Sequence, residues 1–274
     1  MSNYIRFCDA RTDPLPREVL QRLPRLKRIA STGPRNASID SSAAKELGIA
    51  VTATGYESTP TIELTWALIL ASVRSIVREN EALRDGLWQT SIGEELSGKT
   101  LGVLGLGNIG GQVAQIGLAF GMNVIAWSQN MTSEIANEGG AKLVSKDVLF
   151  READILTIHL VLSARTKGLV GPAELSLMKP TARLINTSRA PIVDEPSLIK
   201  ALRSHAIAGA AIDVFDQEPL PPQHPLRSME NVLATPHIGY VTDGLYRTFY
   251  GDVVKSITTW LDEQAGAATL TSPC

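Results

Sequence analysis

The sequence has few cysteines and no excess of either charge. Its 274 residues include two cysteines, Cys8 and Cys274, at opposite ends of the chain, which argues against a disulfide framework and against a zinc site. The 26 Lys and Arg residues nearly balance the 28 Asp and Glu residues, so the formal net charge is −2. We therefore expect no metal site and no basic surface that would bind nucleic acid or anionic lipid.

We also expect no secretory signal, and the sequence has no long apolar run. The N-terminal residues include the charged side chains of Arg6, Asp9 and Arg11, which a secretory signal does not tolerate in its apolar stretch. The most apolar segment, 66–73, is much shorter than the roughly 20 residues that cross a bilayer. These features predict a cytoplasmic globular protein without a membrane segment, and its length predicts two domains.

From residue 100 onward, short apolar runs alternate with segments of helical length. The predicted strands cover 101–105, 123–127, 142–144, 154–160, 182–186, 207–213 and 231–234. Helices are predicted between them, among others at 110–120, 145–152 and 195–204. Because strands that are apolar throughout are buried on both faces, this alternation is typical of an α/β fold with a doubly wound parallel sheet.

The segment 61–83 predicts one long helix before this sheet. Its apolar stripe is wider than a surface helix requires. The helix is therefore either an ordinary core helix or one that is also buried in a subunit interface.

The rest of the chain predicts a second, smaller domain. Residues 1–60 alternate between strand and helix patterns, and 246–264 predicts an amphipathic helix that packs back on them. We predict that 1–60 and 241–274 form this domain, and that 61–240 form the domain with the larger sheet.

A glycine pattern follows the first strand of the larger sheet. Gly105, Gly107 and Gly110 are spaced Gly-x-Gly-x-x-Gly between a predicted strand and a predicted helix. The first permits a tight turn, the second lets the backbone approach a pyrophosphate, and the third allows close helix–strand packing. The N–H groups of Asn108, Ile109 and Gly110 would face the negative charge. The alternative is a glycine-rich turn without a ligand, but the flanking strands favour a Rossmann-type dinucleotide site.

The end of the next strand bears on the choice between NAD and NADP. A carboxylate there, about 20 residues after the glycines, usually binds the ribose hydroxyls of NAD. This chain has Ser128, Gln129 and Asn130 and no acid at that point. The missing carboxylate removes a repulsion against a 2′-phosphate, yet no nearby Arg or Lys would bind one. Ser128 is expected to contact the ribose, and the cofactor is predicted to be NAD or NADP.

Three short segments of the C-terminal half each follow an apolar run. They read Asn-Thr-Ser-Arg at 186–189, Asp-Val-Phe-Asp-Gln-Glu-Pro at 213–219 and Thr-Pro-His-Ile-Gly at 235–239. Each segment contributes one residue of a trio that suits acid–base chemistry, namely Arg189, Glu218 and His237.

This trio suits hydride transfer to or from a 2-keto acid. Such an acid presents a carboxylate next to a carbonyl, and the planar donors of Arg189 can bind both groups. As hydride reaches the carbonyl carbon, a protonated His237 would deliver a proton to the oxygen. Glu218 would orient the imidazole and favour its charged form. Taken singly, each residue has an ordinary alternative: a surface arginine, a Glu-Pro turn and a structural histidine.

These segments, together with the stretch 98–110, resemble the D-isomer-specific 2-hydroxyacid dehydrogenases. That family includes phosphoglycerate, glyoxylate/hydroxypyruvate and formate dehydrogenases, and the resemblance covers the chain from about residue 28 to the last helix. It implies that Arg189, Glu218 and His237 are catalytic residues. It also implies that the Asp213 side chain and the Thr187 carbonyl contact the nicotinamide carboxamide, although Asp213 is almost as well explained as a carboxylate holding the loop to Glu218.

For the smaller domain, the resemblance implies a flavodoxin-like substrate domain that is truncated at its N-terminus. The loop 32–36 is expected to bind the substrate carboxylate through the N–H groups of Gly33, Arg35 and Asn36, since Pro34 has none. A plain turn is the alternative. Ser31 stands where phosphoglycerate dehydrogenases tend to have an arginine, which disfavours phosphoglycerate as the substrate.

The sequence therefore predicts a homodimeric enzyme that interconverts a small 2-keto acid and its D-2-hydroxy acid. Two other functions stay open. The same family includes transcriptional corepressors that bind NAD and assemble with partners, and the short N-terminus also suits a folded but inactive remnant. Turnover of any 2-keto acid would separate the enzyme from both.

Overall fold

The structure, a computed structural model, describes residues 4–8, 14–33, 36 and 38–270. The chain divides into two compact units. The first consists of Met1–Glu57 and Val241–Cys274, and the second of Ser58–Tyr240.

The elements of the described residues follow in chain order. The strands are β1 (Tyr4–Cys8), β2 (Leu26–Ser31), β3 (Ala50–Ala53), β4 (Thr100–Leu104), β5 (Asn123–Trp127), β6 (Lys142–Leu143), β7 (Ile155–Ile158), β8 (Arg183–Asn186), β9 (Gly209–Ile212) and β10 (Val232–Ala234). The α-helices are α1 (Arg17–Gln21), α2 (Ser41–Glu46), α3 (Thr59–Val73), α4 (Ile76–Arg84), α5 (Asn108–Ala119), α6 (Ser133–Glu138), α7 (Lys146–Glu152), α8 (Pro172–Leu177), α9 (Glu195–Arg203) and α10 (Asp243–Leu270).

The first unit contains a parallel sheet with the strand order β1-β2-β3. Its core includes Leu20 of α1 and Ile29 of β2, both almost completely buried. The last helix, α10, packs on this sheet, where the hydroxyl of Ser256 lies 3.0 Å from Arg28 Nη2 and 3.1 Å from Thr52 Oγ1. The two ends of the chain therefore build one unit.

The second unit is built on a seven-stranded sheet. The strand order is β10-β9-β8-β7-β4-β5-β6 and every pairing is parallel. One apolar cluster includes Phe150 of α7 and Leu202 of α9, and a second includes Trp66 of α3 and Val113 of α5. The predicted α/β fold with a doubly wound parallel sheet is thus confirmed. The order reverses beside β4, and ligands of such sheets bind at the carboxyl ends of the strands near this reversal.

The long helix predicted over 61–83 is wrong, because the structure breaks it into α3 and α4. Ser75 lies between them in the left-handed region, with a φ of 50°, and the two helices differ in direction by 61°. A residue distant in the sequence stabilises the break, because the carbonyl of Val73 accepts the N–H of Glu94 at 2.8 Å. Within the described chain, no single helix is long and apolar enough to cross a membrane, and α3 and α4 pass that test only as a bent pair.

Candidate functional site

The turn between β4 and α5 requires glycine at two positions. Gly105 has a φ of +99°, and a Cβ on it would lie 2.8 Å from Leu160 Cδ2 and 2.9 Å from the backbone oxygen of His159. A Cβ on Gly110 would overlap the carbonyl oxygen of Gly105. The start of α5 therefore packs directly against the strand ends, and no larger residue fits there.

Gly107 differs from the other two glycines because it faces open space. A Cβ at this position would meet no heavy atom within 4 Å. Gly107 caps the 12-residue helix α5, and no side chain of the described residues caps that helix. The N–H groups of Asn108, Ile109 and Gly110 have no acceptor inside the helix. A space bordered by these donors and by the positive end of the helix fits the pyrophosphate of a dinucleotide.

His159 borders the same turn as a neutral side chain. The backbone N–H of His159 donates to the carbonyl of Leu104 at 2.9 Å, and its ring Nε2 lies 2.8 Å from Thr157 Oγ1. Desolvation by burial lowers the pKa of His159 to about 3. The imidazole therefore adds no charge beside the glycine turn near neutral pH.

Uncharged polar residues follow the end of β5. Residues Ser128, Gln129 and Asn130 begin a turn that is closed by the N–H of Met131, which donates to the carbonyl of Ser128 at 3.2 Å. The side chain of Ser128 is half-buried, and those of Gln129 and Asn130 are exposed. Inside the described part of the chain, none of these three side chains has a hydrogen-bond partner. They are thus available to the ribose of a nucleotide.

Glu218 and His237 form a close pair. His237 Nδ1 lies 2.6 Å from Glu218 Oε2, and the side chains are 11% and 25% exposed. The second carboxylate oxygen, Oε1, accepts the N–H of Phe215 at 3.0 Å. His237 has a φ of +55°, a conformation that histidine tolerates better than most residues. The glutamate therefore fixes the orientation of the imidazole.

Arg189 extends into solvent from a loop that is itself well held. The buried Asn186 accepts the N–H and the hydroxyl of Ser188, both at 3.0 Å, and donates to the carbonyl of Arg189 at 3.2 Å. Arg189 Nη1 donates to the carbonyl of Ser188 at 2.7 Å. The structure brings Glu218 and His237 into contact and places Arg189 after the neighbouring strand β8, at the same carboxyl edge of the sheet.

Asp213 holds the loop that carries His237. Its Oδ1 accepts the hydroxyl of Thr235 at 2.6 Å and the N–H of Ile238 at 2.8 Å, and its Oδ2 accepts the N–H of Gly239 at 2.8 Å. Asp213 is 1% exposed. From the sequence, Asp213 was expected either to contact the nicotinamide carboxamide or to hold the loop that carries Glu218. In the structure, its hydrogen bonds hold the loop that carries His237.

Two threonines in the first two turns of α3 also contact the loops of the site, although the sequence pattern predicts only an apolar helix there. Thr65 Oγ1 lies 2.8 Å from Thr187 Oγ1, and Thr61 Oγ1 donates to the carbonyl of Gly239 at 3.0 Å. Thr65 is completely buried. The signal in the sequence was a pair of hydroxyls spaced i, i+4 on the buried face of an otherwise aliphatic helix.

In the first unit, the structure describes two of the three residues predicted to bind the substrate carboxylate. The N–H of Gly33 donates to Thr54 Oγ1 at 2.8 Å, so this donor is occupied. Asn36 Nδ2 donates to Ser31 Oγ at 3.0 Å, and Asn36 Oδ1 accepts the N–H of Ser38 at 2.9 Å. Arg35, the third, lies outside the described residues.

The similarity of this chain to known proteins is extensive. Residues 66–239 match the model of the family described as D-isomer specific 2-hydroxyacid dehydrogenase, NAD binding domain. A glyoxylate reductase of Aeropyrum pernix is 46% identical over 241 residues, which are 84% of this chain and 72% of that protein. The structure of a phosphoglycerate oxidoreductase from Vibrio cholerae matches with a TM-score of 0.91 at 34% identity, covering 94% of this chain and 84% of that one.

A D-lactate dehydrogenase from Aquifex aeolicus, solved with NAD and lactic acid, also matches. Its TM-score is 0.80 at 29% identity, and the match covers 98% of this chain and 87% of that one. The chain therefore belongs to the D-isomer specific 2-hydroxyacid dehydrogenases. The predicted family is confirmed, and with it the class of reaction: hydride transfer between NAD(H) or NADP(H) and a 2-keto or 2-hydroxy acid.

Proposed function

We propose that this protein reduces glyoxylate, or a 2-keto acid of similar size, to the corresponding 2-hydroxy acid, with D configuration where the product is chiral. The observation that carries the proposal is the Glu218–His237 pair, 2.6 Å apart, at the sheet edge that also bears the glycine turn and Arg189. The glyoxylate reductase of Aeropyrum pernix supports the choice of a small substrate.

In this proposal the catalytic residues are Arg189, Glu218 and His237. A bound reduced nicotinamide would supply the hydride. The guanidinium of Arg189 binds the substrate carboxylate and stabilises the charge that grows on the carbonyl oxygen. His237, held through Nδ1 by Glu218, gives the proton to that oxygen from Nε2 and regains it in the reverse reaction. The carboxylate of Glu218 balances the imidazolium before the proton leaves.

The proposed cofactor domain is the second unit. The glycine turn provides Gly105, Gly107 and the donors of Asn108, Ile109 and Gly110 for the pyrophosphate, while Ser128 contacts the ribose. Thr187 and Asp213 follow β8 and β9 at the same edge of the sheet, where a nicotinamide carboxamide would be bound. For the first unit, proposed as the substrate domain, binding of the carboxylate by the N–H groups of Arg35 and Asn36 stays a prediction, whereas the N–H of Gly33 is occupied by Thr54 Oγ1.

Purified protein tests this function directly. Loss of the absorbance of reduced nicotinamide should be followed with glyoxylate, hydroxypyruvate and a branched 2-keto acid, with NADH and NADPH in separate assays. We expect turnover with glyoxylate or hydroxypyruvate and slower turnover with the branched acid. Cofactor binding without turnover of any of the three would overturn the proposal.

The end of β5 leads to a prediction about cofactor choice. Because the turn after β5 has no carboxylate, we propose that NAD(H) is used and that NADP(H) is accepted too. Ser128→Asp should raise the KM for NADPH at least about tenfold, the effect of a repulsion of about 1.4 kcal/mol, and leave the KM for NADH nearly unchanged. The neutral variant Ser128→Asn should change the KM for NADH and the KM for NADPH to the same extent. Equal changes for both cofactors in Ser128→Asp would contradict this role.

An exposed apolar surface supports the proposal of a homodimer. Helix α4 has no buried residue, although large apolar side chains project from it and from the segment after it. They are Ile76, Val77, Leu83, Leu87, Trp88 and Ile92, with exposed fractions from 45% to 98%. A helix with an apolar face gains its stability by packing, which a second copy would provide. Analytical ultracentrifugation should show a wild-type dimer and a higher dimer dissociation constant for Trp88→Glu. A monomeric wild type would exclude the proposed dimer.

A further inference from the structure

The first turns of α3 connect two loops of the proposed active site. Thr61 Oγ1 donates to the carbonyl of Gly239 at 3.0 Å, and Thr65 Oγ1 donates to the carbonyl of Thr61 at 2.7 Å. Thr65 Oγ1 also lies 2.8 Å from Thr187 Oγ1. The three threonines are 7%, 0% and 6% exposed in the order Thr61, Thr65 and Thr187. The loop with Arg189 and the loop with His237 are thus bonded to the same helix.

The direction of this chain of hydrogen bonds follows from the donors available. A hydroxyl has one proton, and the proton of Thr65 is given to the carbonyl of Thr61. Thr187 must then donate to Thr65 Oγ1. Each hydroxyl is paired in this arrangement, as buried polar groups require, and removal of the Thr65 hydroxyl would leave Thr187 without its acceptor.

The contact made by Thr61 reaches outside the helix. Thr65 donates to the carbonyl four residues earlier, as threonine inside a helix commonly does. Thr61 lies in the first turn of α3, and it donates across 178 residues to Gly239. Gly239 is thereby held from both sides, since its N–H donates to Asp213 Oδ2 at 2.8 Å.

His237 needs such support because its backbone is strained. Its φ of +55° lies in the left-handed region, and a non-glycine residue stays there only when its surroundings hold it. The two hydrogen bonds that hold Gly239 lie two residues further along the chain. On the other loop, Thr187 lies between Asn186, which fixes the backbone of Arg189, and Ser188, whose carbonyl accepts from the Arg189 side chain.

We propose that Thr61 and Thr65 are positioning residues for the hydride-transfer reaction, setting the distance between Arg189 and His237 through the start of α3. This inference rests on the proposed function. The two residues touch no reacting atom in this account and act through the loops of Thr187 and Gly239. Their loss therefore affects mainly the step in which the guanidinium of Arg189 and the imidazole of His237 act together on one substrate. The proposed pyrophosphate and ribose contacts, at the turns after β4 and β5, involve neither threonine.

The test compares Thr61→Val, which keeps the shape and removes the hydroxyl, with Thr61→Ser, which restores it. Thr59→Val is the matched control, since Thr59 is an exposed threonine of the same helix. We expect Thr61→Val to lower kcat by roughly tenfold to a hundredfold, the cost of misplacing a catalytic group by about 1 Å. The limb of the pH profile due to the histidine should shift, and the cofactor Kd should stay close to that of the wild type. The Tm should fall by only about a few degrees, because the buried carbonyl of Gly239 loses its donor. Thr61→Ser should recover most of the activity, and Thr59→Val should lose none.

Other results would overturn the proposal. A folded Thr61→Val with the kcat and pH profile of the wild type would do so, and so would a loss that Thr61→Ser does not reverse. If Thr61→Val does not fold, Thr65→Val is the test instead. We expect the same loss of kcat in this variant, and a wild-type kcat in folded Thr65→Val would contradict the proposal. Wild-type protein without turnover of any 2-keto acid would overturn the proposed function and this inference together. An active wild type with unaffected variants would overturn this inference alone.

Discussion

His237→Ala should lower kcat by about 10²–10⁴-fold, the usual range for the loss of a general acid–base group. The imidazole is held 2.6 Å from the Glu218 carboxylate, and His237 is the residue that this account assigns to donate the proton to the carbonyl oxygen. The glycine turn and the end of β5 do not involve His237. The Kd of the cofactor, measured by calorimetry, should therefore change little.

The matched control for this prediction is His205→Ala. His205 is exposed and has a φ of 51°, close to the 55° of His237, so both replacements put an alanine into the same left-handed backbone region. We expect the activity of His205→Ala to equal that of the wild type. Equal losses of turnover and of cofactor affinity in His237→Ala would remove the acid–base role.

Arg189→Lys should be nearly as damaging although it keeps the positive charge. The planar donors of arginine bind a carboxylate and an adjacent oxygen at two points, whereas an ammonium group is a single point of charge. We expect kcat/KM to fall by roughly 10²–10³-fold, the range found when a donor to a developing oxyanion is removed. Cofactor affinity should not change.

For Arg189→Lys the control is Arg203→Lys. Arg203 is an exposed residue in the last turn of α9, where either cation favours the helix end. Its replacement should leave kcat/KM unchanged. Full activity of Arg189→Lys would exclude Arg189 from the mechanism.

The large sheet could be predicted from the sequence because its signal is local. Every residue of β7 and of β9 is buried, so both strands appear in the sequence as apolar runs. The break between α3 and α4 could not be predicted in this way. The carbonyl of Val73 is satisfied by Glu94, a residue that the pattern of the helix does not contain, and the apolar side chains of Ile76 and Val77 are exposed where a buried face was expected.

The candidate site shows the same division between local and distant signals. Glu218 and His237 follow neighbouring parallel strands, so their proximity could be inferred from the order of the strands. The hydrogen bonds of Thr61 and Thr65 could not, because their partners lie 178 and 122 residues away. Gly33 is a similar case: the sequence predicts a free N–H in its loop, but Thr54 Oγ1 accepts it.

The most direct test of the account follows the hydride itself. The protein would be incubated with hydroxypyruvate and with reduced nicotinamide cofactor that carries deuterium at both C4 positions. We predict D-glycerate with deuterium on its C2 carbon, formed by the wild type and at a greatly reduced rate by His237→Ala. Glycerate of the L configuration, glycerate without deuterium, or no product from protein that binds the cofactor would contradict a D-specific 2-keto acid reductase.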